Sequence, residues 1–183
     1  MKRPRKISRY PSGFTLLEAM ISIVILSFGV LSLSVVYAQG VVYATLTQYD
    51  YIAEKKAEEA VETIFTARDT KILTWSQIQN VSANGVFLDG PQPLLDPGPD
   101  GLVGTADDNP NLPDVIILGP GPDGILGTAD DQVANLNPWM TRTINITPVT
   151  AEANLRQITI TINYTICGLQ RTYTLISYIS AFA

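Results

Sequence analysis

The residues best placed to do chemistry are aspartates, and they come in duplicate. GPDGLVGTADD, Gly98 to Asp108, returns 23 residues later as GPDGILGTADD, Gly121 to Asp131, with only the two apolar positions changed. From Ile72 to Met140 there is no lysine or arginine, so nine aspartates in that interval lack a local cationic partner. Crowded carboxylates of this kind are unfavourable unless water or a cation lies between them. Many oxygen donors on a flexible backbone suit Ca²⁺ ahead of Mg²⁺. The chain has no histidine and one cysteine, Cys167, which argues against hydrolase triads and zinc sites of the usual kinds. No intramolecular disulfide can form, and Cys167 reads as a small strand residue.

Spacing sharpens the metal expectation. The stretch DPGPDGLVGTAD is similar to a twelve-residue EF-hand calcium loop, with Asp96 first, Asp100 fifth, Gly101 at the turn, the Leu102 carbonyl seventh, Val103 eighth and Asp107 twelfth. The second copy matches through Asp123, Gly124, the Ile125 carbonyl, Leu126 and Asp130, but Gly119 stands where a first carboxylate would be. Asp108 and Asp131 complete the paired aspartates at each end. Both copies lack the third-position acid and the flanking helices, so the pattern implies a helix-free calcium loop. The competing reading is a pair of ordinary Pro-Asp-Gly turns.

One other carboxylate is out of place. Phe14 to Val36 is apolar apart from Thr15, Glu18, Gly29 and scattered serines, and a helix of that length, about 34 Å, spans a bilayer. Lys2, Arg3, Arg5, Lys6 and Arg9 precede it, which places the leader in the cytoplasm and the body outside. The segment is longer than the apolar region of a cleaved secretory signal. A plain anchor explains the length but not Glu18, because a carboxylate in hydrocarbon costs a few kcal/mol. Glu18 has no basic residue within a helical turn, and the nearby cation would be a new amino terminus at Phe14.

The junction Gly13-Phe14 with TLLE and the apolar run after it resembles the class III signal of type IV prepilins and type II secretion pseudopilins. The resemblance covers Gly13 to about Leu33. It implies that a prepilin peptidase cuts after Gly13 and methylates the amine of Phe14, and that Glu18 pairs with Phe14 of a neighbouring subunit during filament assembly. Such a pair, buried in a dry filament core, would act as a register check more than as a net source of stability.

The elements that hold these groups follow from periodicity. Ala53, Ala57, Ala60, Val61, Ile64 and Ala67 recur at helical spacing and Glu54, Lys55, Lys56, Glu58, Glu59 and Glu62 fill the opposite face, so the helix continues past the membrane segment. No proline occurs from Gly13 to Gly90, leaving Gly29 and Gly40 as the weak points. The aromatics along it, Phe28, Tyr37, Tyr43, Tyr49 and Tyr51, read as belt and packing residues. Thr141 to Val149, Leu155 to Thr165 and Gln170 to Phe182 alternate as antiparallel strands. The expected fold is α+β, a long N-terminal helix, transmembrane then amphipathic, packed on a C-terminal antiparallel sheet, which matches the ladle of the pilin family. The expected division is a leader at 1–13, a helix at 14–67 and a head at 68–183 containing the repeat region 89–138.

Without the leader the chain carries seven basic and seventeen acidic residues, and this acidity argues against nucleic acid as a partner. The sequence thus reads as a non-enzymatic subunit of a type IV pilus or related type II secretion filament, with two calcium loops in its head. It would sit in the bacterial inner membrane as a precursor and then join a periplasmic or extracellular polymer of itself or other pilins. The alternatives are a minor pilin or pseudopilin of a secretion system, or an anchored, non-polymerising, calcium-dependent binding protein.

Overall fold

The computed structural model describes residues 13–150, 152–166 and 168–182. The basic leader up to residue 12 and Cys167, about which the sequence raises expectations, lie outside the described residues. Helix α1 (Leu16–Asp69) runs without interruption through Gly29 and Gly40. Residues up to Thr45 and from Leu46 onward form two separate compact units.

In the first unit, α1 exposes apolar side chains along its length, among them Leu17, Ile21, Ile25, Phe28 and Leu33. It is the described helix long and apolar enough to cross a membrane by length and composition. Its hydroxyls need no outside partner. Ser22, Ser27, Ser32 and Ser34 donate to the carbonyls of Glu18, Ile23, Phe28 and Val30 at 2.7–2.9 Å. Internal satisfaction of this kind is what a hydrocarbon environment demands.

In the second unit, α1 buries the small-residue stripe Ala53, Ala57, Ala60, Ile64 and Ala67. It ends at Asp69, and two residues on the left-handed backbone of Lys71 (φ 62°) cannot continue a helix. The main sheet is antiparallel, ordered β1 (Gln92–Pro93), β6 (Met140–Val149), β7 (Glu152–Ile166) and β8 (Leu169–Ser180). Strand β7 alternates strictly, with Ile158, Ile160, Ile162 and Tyr164 buried and Thr159, Thr161 and Asn163 on the other face. These side chains form one core cluster with the alanine stripe, Ile144, Ile146 and Ile179. Small residues on the helix let the sheet approach closely, and the β-branched isoleucines fill the pleat.

The region between helix and sheet is more structured than its composition suggests. Strands β2 (Leu95–Asp96) and β3 (Asn109–Pro113) pair as one hairpin, and β4 (Val115–Gly119) and β5 (Gln132–Asn135) as another. Asp96 pairs with Asn109 and Gly119 with Gln132, so the 23-residue repeat is a repeat of a whole hairpin. Phe87, Leu94, Leu102, Val103 and Leu136 of this region are buried in the core.

Candidate functional site

Three sets of groups carry chemistry: the start of α1, the two aspartate loops and a buried charge cluster. At the first, Glu18 lies in the first turn of α1, and its backbone N–H donates to Thr15 Oγ1 at 3.2 Å. Thr15 with Glu18 three residues later has the spacing of a capping box, of which this bond is one half. A carboxylate in the first turn also meets the positive end of the helix dipole. Thr15 is a residue the sequence reading missed, although the T-x-x-E spacing was there to be read. Gly13 and Phe14 precede the helix and are exposed.

The two loops fold by the same circuit. In the first, Asp100 accepts from Leu102 N at 2.8 Å and Asp107 from Thr105 Oγ1 at 2.7 Å and Asp100 N at 3.4 Å. Asp108 accepts from Gly104 N at 2.8 Å. In the second, Asp123 accepts from Ile125 N at 2.8 Å, Asp130 from Thr128 Oγ1 at 2.7 Å and Asp123 N at 3.3 Å, and Asp131 from Gly127 N at 2.7 Å. The glycines are obligatory for steric reasons. Gly101 and Gly124 have φ of 70° and 71°, and a Cβ on Gly98 or Gly121 would lie 2.4 or 2.2 Å from the Asp107 or Asp130 carbonyl oxygen. Thr105 and Thr128, to which the spacing assigns no role, hold the twelfth-position aspartates.

Electrostatics follow from this geometry. Burial raises the Asp100 carboxyl, and the neighbouring Asp107 charge adds to that against the Leu102 N–H. The Thr105 hydroxyl holds Asp107 below the usual carboxylate range, as Thr128 holds Asp130. Asp96 stands outside the circuit, at the rim of a cleft of about 490 Å³ that it shares with Asp107. Asp100 faces Glu59 and Glu62 of α1 across a groove of about 390 Å³. Among the described residues no three carboxylates converge as a ready-made metal cage. The donors that lie together are a pair of carboxylates with a threonine hydroxyl in each loop. They are oxygens alone, of the type a hard cation takes, and both carboxylates keep lone pairs beyond their bonds to N–H and O–H.

The surroundings of the loops differ sharply. In the first, Leu102 and Val103 are 3% and 1% exposed, and Gly104 abuts Ile144. In the second, the equivalent Ile125 and Leu126 are 61% and 64% exposed.

The buried cluster was not visible in the sequence. Arg142 of β6 is 1% exposed, and its Nε and Nη1 have no hydrogen-bond partner. Burial lowers its pKa against the opposing pull of Glu59, Asp108 and Asp114. Lys56 Nζ joins the group, 2.7 Å from Asp114 and 2.8 Å from Glu59. Asp108 therefore links the first loop to a charge network on α1 and β6. Burial raises both Asp108 and Asp114, and the nearby cations oppose that rise.

An apolar, exposed helix with a carboxylate in its first turn, followed by an antiparallel α+β head, defines a pilin-like layout. Residues 8–34 match the family described as the prokaryotic N-terminal methylation motif, the class III prepilin signal of type IV pilins and pseudopilins, and the chain carries that signal. No curated protein and no solved structure matches this chain.

Proposed function

We propose that the chain is a structural subunit of a type IV pilus or a related type II secretion filament. On this reading prepilin peptidase cuts after Gly13 and methylates Phe14, and subunits then polymerise through the apolar part of α1 with Glu18 paired to Phe14 of a neighbour. The observation that carries the reading is the methylation motif at residues 8–34, set on a helix whose apolar side chains stay exposed. Exposed apolar surface on this scale needs lipid or neighbouring subunits to cover it. A filament core supplies the second after the membrane has supplied the first.

The two loops are, on the same reading, weak calcium sites that stiffen the head. The near-identical circuits and the all-oxygen donors support this. Asp100 and Asp107, with the Thr105 hydroxyl, would hold the first ion, and Asp123, Asp130 and Thr128 the second. The cation would supply the counter-charge these pairs lack.

Processing and assembly are tested together. Intact-mass measurement should find a mature chain beginning at methylated Phe14; a product beginning at Gln39, or retaining Met1, would count against a pilin. Glu18→Ala should leave membrane insertion intact or improved while filament yield collapses, since deleting a carboxylate from hydrocarbon is favourable. Filaments at normal yield from that variant would refute the pairing role.

A further inference from the structure

The hairpin formed by β4 and β5 carries the second loop at its end, and its apolar residues lie open. Ile117, Leu118 and Val133 are exposed along with Ile125 and Leu126 of the tip. The first hairpin shows what this plug is built to do, since the same circuit there delivers Leu102 and Val103 into the core. The second copy presents the apolar pair Ile125 and Leu126 at the equivalent positions and leaves both exposed.

A complementary surface stands open on the same head. A groove of about 450 Å³ runs past the end of α1, lined by Arg68, Lys71, Leu73, Trp75 and Phe182. Leu73, Trp75 and Phe182 give it an apolar side, and Phe182 is exposed. Its charge is positive. Arg68 is held by Asp69 at 2.6 Å and by the Ser180 carbonyl at 3.1 Å, whereas Lys71 has no carboxylate partner among the described residues. The tip is the inverse. Asp123, Asp130 and Asp131 have no lysine or arginine partner among the described residues, and a divalent cation bound there would still leave one negative charge.

We infer that the second hairpin is a docking arm whose tip, through Ile125 and Leu126, seats in the Arg68–Lys71–Phe182 groove of a second copy of this chain, with its carboxylates facing Lys71. Donor and acceptor surfaces are different patches, so the contact is heterologous and propagates from copy to copy. An open helical array needs a contact of that symmetry, and the apolar pair supplies burial while the charges fix orientation. The inference rests on the filament reading for the supply of neighbouring copies.

Disulfide trapping in the full-length chain tests it, in a Cys167→Ser background carrying Leu126→Cys and Phe182→Cys. Oxidised membranes and filaments should give a ladder of dimers and higher oligomers on a non-reducing gel, while either single cysteine stops at dimers or monomers. Lys71→Glu should lower the ladder about fivefold, the equivalent of about 1 kcal/mol, and Ile125→Lys, which replaces an apolar anchor of the tip with a charge, should lower it as well. Filaments visible by electron microscopy without a ladder would overturn the arm and leave the filament reading standing. No filaments at all would tell against that reading, and the arm would then stand or fall on whether the membrane-embedded chain still cross-links. Cross-linking of the tip to a different polypeptide alone would also overturn it.

Discussion

Leu102 and Ile125 occupy the same place in two copies of one hydrogen-bond circuit, so truncating each to alanine isolates what tertiary packing adds. Both donate a backbone N–H to the preceding aspartate at 2.8 Å, and neither substitution touches that bond. Leu102→Ala removes three carbons from a side chain that is 3% exposed. At about 0.8 kcal/mol per buried methylene the transfer loss is about 2.4 kcal/mol, and the cavity left beside Val103 raises the expected cost to about 3–4 kcal/mol. Ile125 is already 61% exposed, so Ile125→Ala should fall within about 0.5 kcal/mol of the parent. Urea unfolding of the detergent-dispersed monomer, followed by the fluorescence of Trp75 and Trp139, reads both changes. With a slope near about 2 kcal/mol per molar, Leu102→Ala should lower the midpoint by about 1.5–2 M and Ile125→Ala hardly at all. Equal shifts for the two variants would refute the assignment of one loop to the core and the other to solvent.

Three further outcomes follow from the head. Arg142→Met should cost about 3–5 kcal/mol, because Asp108 and Asp114 lose a buried counter-charge that Lys56 alone does not replace, and adding Asp108→Asn should recover part of it; a cost below about 1 kcal/mol in the same urea assay would show the cluster to be solvated. Tyr164 donates a hydrogen bond to Asp50, and burial, then that carboxylate, pushes its pKa up to about 12. A folded pKa above the unfolded value of about 10 stabilises below pH 10 and is lost between pH 10 and about 12, so Tyr164→Phe should flatten the alkaline decline in stability, and an unchanged decline would sink the assignment. Calcium should raise the melting temperature with an affinity of about 10⁻⁴ to 10⁻³ M, and each site should add about 1.4 kcal/mol at tenfold excess over its Kd. An Asp100→Ala, Asp123→Ala double variant that keeps the full rise would return the loops to ordinary turns.

What the residues announced in advance depended on how local the cause was. The run from Phe14 to Val36 and the alternation of QITITINYT are long, periodic signals, and the structure places a helix and strand β7 there. Strands β2 to β5 carry no such period, because each is short and takes its pairing from the loop it flanks. Arg142 could not be read as buried, since its acidic neighbours Glu59, Asp108 and Asp114 are brought to it only by the packing of helix, loop and strand. Thr15 is legible in the T-x-x-E spacing, whereas Glu18 alone points to a partner outside the chain.

The duplicated loops mark where local information ends. The repeated eleven-residue stretch suffices to set four side-chain bonds of the circuit, which both copies reproduce to within about 0.1 Å on different backgrounds. Those same eleven residues say nothing about burial, because GLVG and GILG are equally apolar and one is buried while the other is bare. The difference arises from what flanks each hairpin. The first lies where Gly104 meets Ile144 and Asp108 lies near Arg142, whereas the second leaves Ile125 and Leu126 exposed. If the chain polymerises as proposed, identical neighbours would offer the second tip a socket at high local concentration.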